Sequence, residues 1–485
     1  MAKLRLNKFL TMNPDVPEYS TRNQNYLLSG IDPLYYLTQS TTQEQRSAPL
    51  AAAGSFTSVY TIPGGTGNVS YIAPSNYSFL YDLLAVTDQG TLYGVGGNAN
   101  TSLGQPYGAA SATPTGVTTS FAGMILYTDG LNAGVRYTTN FAGGGWADVT
   151  GTYGSAGGLT PKFLVPFLDF CAMADSPTGS GTSIAHSVVR KIDSSRVVSQ
   201  ALNLGLGWNI VGMLNYNNRY LAIVATYNGG NTTNNNNVTD VSYLFLWDGK
   251  SNTYNNAIKI PGLYLHMKLV NTTLFFAVQD RTGQHTLYQL GSNNITPVFN
   301  IGIDTFKTIA ANTAGTNNII FEYGNSVGMN LSTKGQLIYD PGTKAKYILT
   351  PTDNLLYQRA SGVLYAALPN GSAITQFAPT TSYSPIKYQS QWIPFKDLSN
   401  IVVRYATPPS VNGDAIQVTL DGFDEDGTAS TALPLTVISN TNFYNSYKTP
   451  LDTQGFQGDL VRITLTTTSA GTWRPIIREI ELASQ

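Results

Sequence analysis

Three histidines, His186, His266 and His285, and one cysteine, Cys171, are the residues best suited to nucleophilic, acid–base or metal chemistry in this chain of 485 residues. A hydrolytic triad needs an imidazole beside a nucleophile and an acid. A transition-metal site needs His, Cys or carboxylate ligands at short spacing. The three histidines are scattered, and none has a partner at ligand spacing, so ordinary polar roles are expected for them. Gly324–Asn325–Ser326–Val327–Gly328 matches the Gly-x-Ser-x-Gly elbow of serine hydrolases. That mechanism requires the serine on a strained strand-to-helix turn. No helix pattern follows Ser326, so the stretch reads as a Gly-rich hairpin connection, with Ser326 dispensable for chemistry.

Asp421–Gly422–Phe423–Asp424–Glu425–Asp426–Gly427 crowds four acids into one turn. Carboxylates in a tight loop can hold Ca²⁺, but the EF-hand spacing and its terminal Glu are missing. Four carboxylates buried together would repel, so an exposed hairpin tip without metal is expected, with structural Ca²⁺ as the alternative. Paired carboxylates for glycoside cleavage are set by three-dimensional spacing. Asp and Glu together number only 28, and no second local cluster suggests a site. There is no phosphate loop or dinucleotide fingerprint. The expectation is a chain with no catalytic, cofactor-binding or metal-binding residues. A single cysteine excludes an intrachain disulfide, and Cys171, in LVPFLDFCAMADS, reads as a buried structural thiol.

The elements available to position any site are strands. Residues 208–261 read WNIVGMLNYNNRYLAIVATY, a polar Asn/Thr loop, then VSYLFLWDGKSNTYNNAIKIP. Runs rich in Val, Ile, Tyr and Trp, cut by turns at Asn217–Asn218 and Asp248–Gly249, are strand-and-hairpin signals. Four antiparallel strands in about fifty residues is the size of one β-propeller blade. Similar anchors recur. Leu246–Trp247–Asp248–Gly249 is matched by Ile338–Tyr339–Asp340–Pro341–Gly342, and Leu84 to Tyr93 resembles Phe276 to Tyr288 with a short insertion. The fold class is therefore all-β, and residues 51–388 are expected to form a propeller of about seven blades.

Residues 389–485 read differently. Short strands with partial alternation, such as Ile416, Val418, Leu420 and Val461, Ile463, Leu465, carry a β-sandwich or jelly-roll signature. Residues 1–50 show no strand or helix period and read as an extended N-terminal arm. Its apolar islands, Leu27–Leu28 and Leu34–Tyr35–Tyr36–Leu37, are unusual for a free tail. They are the interface candidates. Two homes are open for the arm: the flank of its own propeller, or a neighbouring subunit.

Charged residues make up 11% of the chain, well below the level of an average soluble protein, and 30 tyrosines dominate an aromatic content of 11%. Water-compatible surface must then come from Ser, Thr, Asn and Tyr, as in tightly assembled virion or extracellular β-proteins. A net charge of −1 argues against a general nucleic-acid binder. No window of about twenty apolar residues exists, so no membrane segment is expected.

Two resemblances add to this reading. Arg136–Tyr137–Thr138–Thr139–Asn140 with Gly143–Gly144–Gly145–Trp146 resembles the Asp-box hairpin of sialidase-type propellers, with Asn in place of Asp and one residue inserted. That hairpin lies between the third and fourth strands of a blade and carries no catalysis. The whole-chain plan resembles a tailed-phage virion family that includes the tail hub, nozzle and DNA-stabilisation proteins of short-tailed phages. The residues that prompt it are Gln391–Trp392–Ile393–Pro394–Phe395, Val402–Val403–Arg404–Tyr405, Val418–Thr419–Leu420–Asp421–Gly422, residues 455–463 and Ile477–Arg478–Glu479–Ile480–Glu481. The resemblance implies a non-enzymatic structural protein of the virion, made in the host cytoplasm. Its expected partners are copies of itself in a homo-oligomeric ring, a hexamer in a tail, and other tail or neck proteins, with DNA passing through transiently. The competing expectation is a glycan-binding or glycan-cleaving propeller that recognises host surface polysaccharide.

Overall fold

The structure, a computed structural model, describes residues 3–6, 9, 25–29, 50–52, 54–64, 67–75, 80–96, 100–108, 117–129, 134–143, 145–149, 161–175, 187–205, 207–227, 241–270, 272–283, 285–292, 294–302, 306–309, 319–323, 335–340, 345–348, 356–360, 363–367, 371–383, 385–423, 432–453, 456, 458–470 and 472–484. Every regular element among them is a β-strand. The chain divides into two compact units, one of Ser58–Glu322 and Asn354–Gln376, the other of Met1–Thr57, Tyr323–Asp353 and Phe377–Gln485.

The first of these units is a series of four-stranded antiparallel meanders. The first sheet is Val69–Pro74, Leu83–Thr87, Leu92–Val95 and Thr101–Gly104. The second is Val117–Phe121, Met124–Thr128, Arg136–Thr138 and Ala147–Asp148. The third is Phe163–Phe167, Phe170–Asp175, Val188–Ile192 and Val198–Asn203. The fourth is Trp208–Tyr216, Tyr220–Tyr227, Val241–Trp247 and Asn256–Lys259, and the fifth is Leu263–Val270, Thr273–Gln279, His285–Leu290 and Ile295–Gly302. A sixth takes Leu356–Ala360, Val363–Ala367 and Ala373–Tyr383 from late in the chain and its outer strand, Gly54–Thr61, from early in it. Just past that junction, Ile62 N–H donates to the Ser372 carbonyl at 2.7 Å and Val69 N–H to the Gly371 carbonyl at 3.0 Å.

The first strand of each meander lies beside the first strand of the next. The order is Leu356–Ala360, Val69–Pro74, Val117–Phe121, Phe163–Phe167, Trp208–Tyr216, Leu263–Val270 and Phe306–Ile309. Sheets that touch along their first strands and close with a strand from the other end of the chain follow the β-propeller plan. The core lies between sheets, not within one. In Tyr220–Tyr227, Leu221, Ile223 and Ala225 pack with Phe167, Phe170 and Leu202 of the third sheet. The alternate residues Ala222 and Val224 pack with Met267, Leu274 and Phe276 of the fifth. Side chains alternate across a strand, so a strand buried on both faces must be apolar at every position. That is why LAIVA reads as an unbroken apolar run. Each such Leu, Ile or Val contributes about 1.5–3 kcal/mol on burial.

The turns follow from residue type. Asn217 and Asn218 both take positive φ, +57° and +56°. They are the first two residues of the three-residue connection Asn217–Arg219 between Trp208–Tyr216 and Tyr220–Tyr227, where the Arg219 amide donates to the Tyr216 carbonyl at 3.1 Å. First strands carry register shifts at Val69/Tyr71, Ile210/Gly212 and Tyr264/His266. At the second of these, a Cβ on Gly212 would collide with the Tyr264 hydroxyl of the next sheet, so only glycine fits.

The other unit gathers both chain ends. One sheet runs in the order Lys3–Leu6, Ile476–Ser484, Leu398–Tyr405, Lys448–Asp452, with Leu50–Ala51 also on Ile476–Ser484. A second runs Gly335–Asp340, Ala345–Ile348, Asn25–Ser29, Lys387–Ser390, Leu460–Thr468, Ala415–Phe423, Leu433–Pro434. The expected alternation is present: Ile416, Val418, Leu420, Val461, Ile463 and Leu465 are all fully buried. Residues 335–340 and 345–348 have most of their contacts within this unit, where Ile348 pairs in parallel with Ser29.

The arm differs from its expected irregular form. Lys3–Leu6 pairs with Ile480–Ala483, and Asn25–Ser29 pairs with Lys387–Ser390, all within the same chain. These strands lie in ladders of the same chain, Asn25–Ser29 between Ala345–Ile348 and Lys387–Ser390. They complete backbone ladders that would otherwise end in unpaired N–H and C=O groups. The first strand is also held by charge. Lys3 Nζ lies 3.1 Å from Glu481 Oε1, Arg5 Nε 3.3 Å from Glu481 Oε2, and Arg404 Nη2 3.2 Å from the same oxygen. Arg404 Nε is 3.0 Å from Glu479 Oε1.

Candidate functional site

The residues flagged from sequence do not converge. His266 sits at the register shift in the fifth sheet, where its Nδ1 accepts a hydrogen bond from the Met267 amide at 3.0 Å. His285 begins the third strand of that sheet, and burial lowers its imidazole pKa against the opposing pull of Asp280. His186, Ser326 and residues 424–427 lie outside the described residues. Asp421 pairs across the sheet with Arg462 at 3.4 Å, and that guanidinium lies 4.5 Å over the Trp392 ring. Cys171 is fully buried, and burial pushes its thiol far above the ordinary range. Among the described residues, no group of three or more His, Cys, Asp and Glu side chains could hold a metal ion. Of the interface candidates, Leu27 and Leu28 stand opposite Gln389 and Tyr388 in the ladder. Leu34, Tyr35, Tyr36 and Leu37 lie outside the described residues.

The Asp-box-like hairpin is where a site takes shape. It joins Arg136–Thr138 to Ala147–Asp148, the third and fourth strands of the second sheet, as expected. Asn140 does the work of the usual Asp: its amide donates to Thr138 Oγ1 at 3.0 Å and its Oδ1 accepts from the Ala142 amide at 3.1 Å. Such Asx turns stabilise a tight reversal without regular ladder bonds. Gly145 takes φ +87° and redirects the chain so that Trp146 reaches the first sheet. There the Trp146 indole N–H donates to the Leu103 carbonyl at 2.6 Å.

Between these two sheets lies an open crevice of about 410 Å³. One wall is Leu103 to Gly108, the other Arg136, Gly143, Gly145 and Trp146. The aromatic groups are anchored by their polar atoms. The Tyr107 hydroxyl donates to the Gly134 carbonyl at 2.8 Å, and Tyr107 and Trp146 both pack on the buried Tyr127, with centroids 5.9 and 6.2 Å away. Arg136 lies 5.3 Å over the Tyr107 ring, and its Nε is 3.1 Å from Asp148 Oδ1. Burial, with Asp129 adding to it, raises the phenols of Tyr107 and Tyr127 well above their usual range. Neither therefore serves as a base near neutral pH. The crevice offers rings, backbone and one neutralised guanidinium, an equipment for binding. Sequence reading found Trp146 and the glycines through the hairpin motif. It missed Gln105 and Tyr107, which no motif marks and which only the apposition of two sheets brings in.

No family model matches the chain, and no curated protein matches it. Among solved structures it is similar to a streptogramin B lyase, with a TM-score of 0.46, 11% identity, and coverage of 67% of this chain and 97% of that one. It is also similar to a catalytically inactive virginiamycin B lyase from Staphylococcus aureus with quinupristin, at a TM-score of 0.47, 9% identity, and 66% and 98% coverage. A third similar structure is the computationally designed Ika8 protein, at 0.41, 7% identity, and 66% and 99% coverage.

Proposed function

We propose that this protein is a non-enzymatic structural subunit of a tailed-phage virion, built from a seven-bladed propeller and a C-terminal β-sandwich and assembled as a homo-oligomeric ring of the tail or neck. The succession of seven first strands, from Leu356–Ala360 through Val69–Pro74 to Phe306–Ile309, supports a count of seven blades. The sandwich reading rests on two sheets with alternating burial in the unit that holds residues 377–485.

The observation that carries an assembly role is a pair of bare aromatics. Tyr444 and Tyr447 are 71% and 64% exposed, in the segment between Ile438–Ser439 and Lys448–Asp452. Backbone and Asn side chains shape this segment: Asn445 Oδ1 accepts from the Tyr447 and Lys448 amides, both at 3.0 Å. Tyrosine is a residue type enriched in interface centres, where charged groups are depleted. A chain with only 11% charged residues suits large permanent contacts. The four arm residues Leu34, Tyr35, Tyr36 and Leu37 are further contact candidates.

Native mass spectrometry of the purified full chain tests this reading. The expected species is a sixfold multiple of the 52.1 kDa subunit. Tyr444→Ser with Tyr447→Ser should shift it toward monomer without loss of β-structure. A monomer at every concentration up to about 50 μM, where even weak self-association would show, overturns it.

A further inference from the structure

A crevice lies between the first and second propeller sheets, apart from the residues on which the assembly reading rests. We infer that it takes a neutral carbohydrate, one or two pyranose units of a larger glycan. Four features point to that class.

The first is size. About 410 Å³ falls in the range of small-molecule pockets, roughly 300–1,000 Å³, and suits a mono- or disaccharide. The second is how the aromatics are held. Trp146 and Tyr107 direct their polar atoms into the protein, onto the Leu103 and Gly134 carbonyls. What Trp146 adds to the crevice is therefore ring, fixed in place before a ligand arrives, while the Tyr107 ring carries the Arg136 guanidinium 5.3 Å from its centroid. Rings of this kind accept the C–H faces of sugars, and fixing them beforehand removes the entropy of ordering them on binding.

The third feature is the glycine content of the walls. A Cβ placed on Gly104, Gly108 or Gly143 would meet nothing within 4 Å. No side chain fills the crevice at these positions, which leaves room for a ring-sized ligand between the walls. The fourth is charge. Arg136 is the cation of the crevice, and Asp148 already neutralises it at 3.1 Å while Tyr107 stacks beneath it. A second anion would compete with Asp148, whereas a neutral hydroxyl can accept from the guanidinium's remaining N–H groups. Gln105 is held by its Nε2 on Thr91 Oγ1 at 3.3 Å, which leaves its carbonyl oxygen as a neutral acceptor.

The test uses the full-length protein with four neutral disaccharides, maltose, cellobiose, lactose and chitobiose, and with inorganic phosphate and sialyllactose as anionic comparators. Saturation-transfer NMR and tryptophan fluorescence are read together. At least one neutral disaccharide should bind with Kd of about 1 mM. Gly143→Leu fills the crevice from a position with open space and no positive φ, so it should leave the unfolding midpoint unchanged and weaken binding at least tenfold. Trp146→Phe, a smaller change, should abolish the fluorescence response and weaken the NMR-detected binding. The inference fails if no neutral disaccharide saturates below about 50 mM. It also fails if binding survives both substitutions, or if phosphate or the acidic sugar binds more tightly than every neutral one.

Discussion

Glu481→Gln isolates the charge that pins the N-terminal strand. The Glu481 side chain is 4% exposed and faces Lys3, Arg5 and Arg404, with Glu479 on its own strand as the other anion. A unit-charge pair about 3 Å apart attracts by roughly 5 kcal/mol at an effective dielectric of ~20. Water screens most of that, because Lys3 and Arg5 are more than half exposed, at 51% and 59%. At about 0.5 kcal/mol for each exposed partner and about 1 kcal/mol for the less exposed Arg404, the charge contributes roughly 2 kcal/mol. Gln keeps the shape and one acceptor. The loss should therefore appear as about thirtyfold faster amide exchange in Lys3–Leu6, read by hydrogen-exchange mass spectrometry at pH 7. The pH dependence has a fixed sign. Burial would raise the Glu481 carboxyl, but hydrogen bonds and charge from Lys3 and Arg404 outweigh it and hold the pKa below its usual value. Its stabilisation is complete above about pH 4.3 and is lost as pH falls through the lowered pKa. The difference between wild type and variant should shrink below pH 4. A change under threefold at pH 7, or one that stays undiminished down to pH 2, would refute the reasoning.

Two further substitutions probe the propeller. In Gly94→Ala, the new Cβ would lie 2.6 Å from ring atoms of the buried Tyr81, so overpacking should cost about 1–3 kcal/mol in urea unfolding; a loss under 0.5 kcal/mol would mean that the ring moves freely. Lys268 is 3% exposed, and burial lowers its ammonium to about 7. Its folded pKa lies below the unfolded value near 10.4, so the wild type should lose up to about 1.4 kcal/mol per pH unit as pH falls from 10 toward 7 and then level off. In Lys268→Met that slope should be absent, and equal slopes in the two proteins would show that the lysine is solvated.

Local pattern carried the propeller sheets into view. Trp208–Tyr216, Tyr220–Tyr227 and Val241–Trp247 coincide with the apolar runs, and the Asn217–Asn218 and Asp248–Gly249 turns fall between strands as their types require. At the second turn, Asp248 accepts from the Lys250 and Ser251 amides at 2.8 Å, chemistry contained within four residues of sequence. Lys3–Leu6 and Asn25–Ser29 were not legible. A four- or five-residue strand shows too little alternation to register, and its partners, Ile480–Ala483 and Lys387–Ser390, are hundreds of residues away. The crevice was half legible for the same reason: the hairpin that brings Trp146 is local, whereas its approach to Leu103 and Tyr107 exists only once two sheets stand side by side.

The pairing of Lys3–Leu6 with Ile480–Ala483 also sets an order of events at the ribosome. The meanders from Val69 to Gly302 close by neighbouring hairpins, so each can form as it emerges. Lys3–Leu6 must wait for Ile480–Ala483. Closing a loop of nearly the whole chain costs about 3 kcal/mol more than closing one of ten residues. At about 5–20 residues per second, the 478 residues that separate Lys3 from Glu481 take roughly half a minute to a minute and a half to make. Through that interval Lys3–Leu6 is a finished strand without its ladder. Until Ile480–Ala483 is made, the unpaired N–H and C=O groups of Lys3–Leu6 are open to pairing with another chain, and slower elongation lengthens that interval.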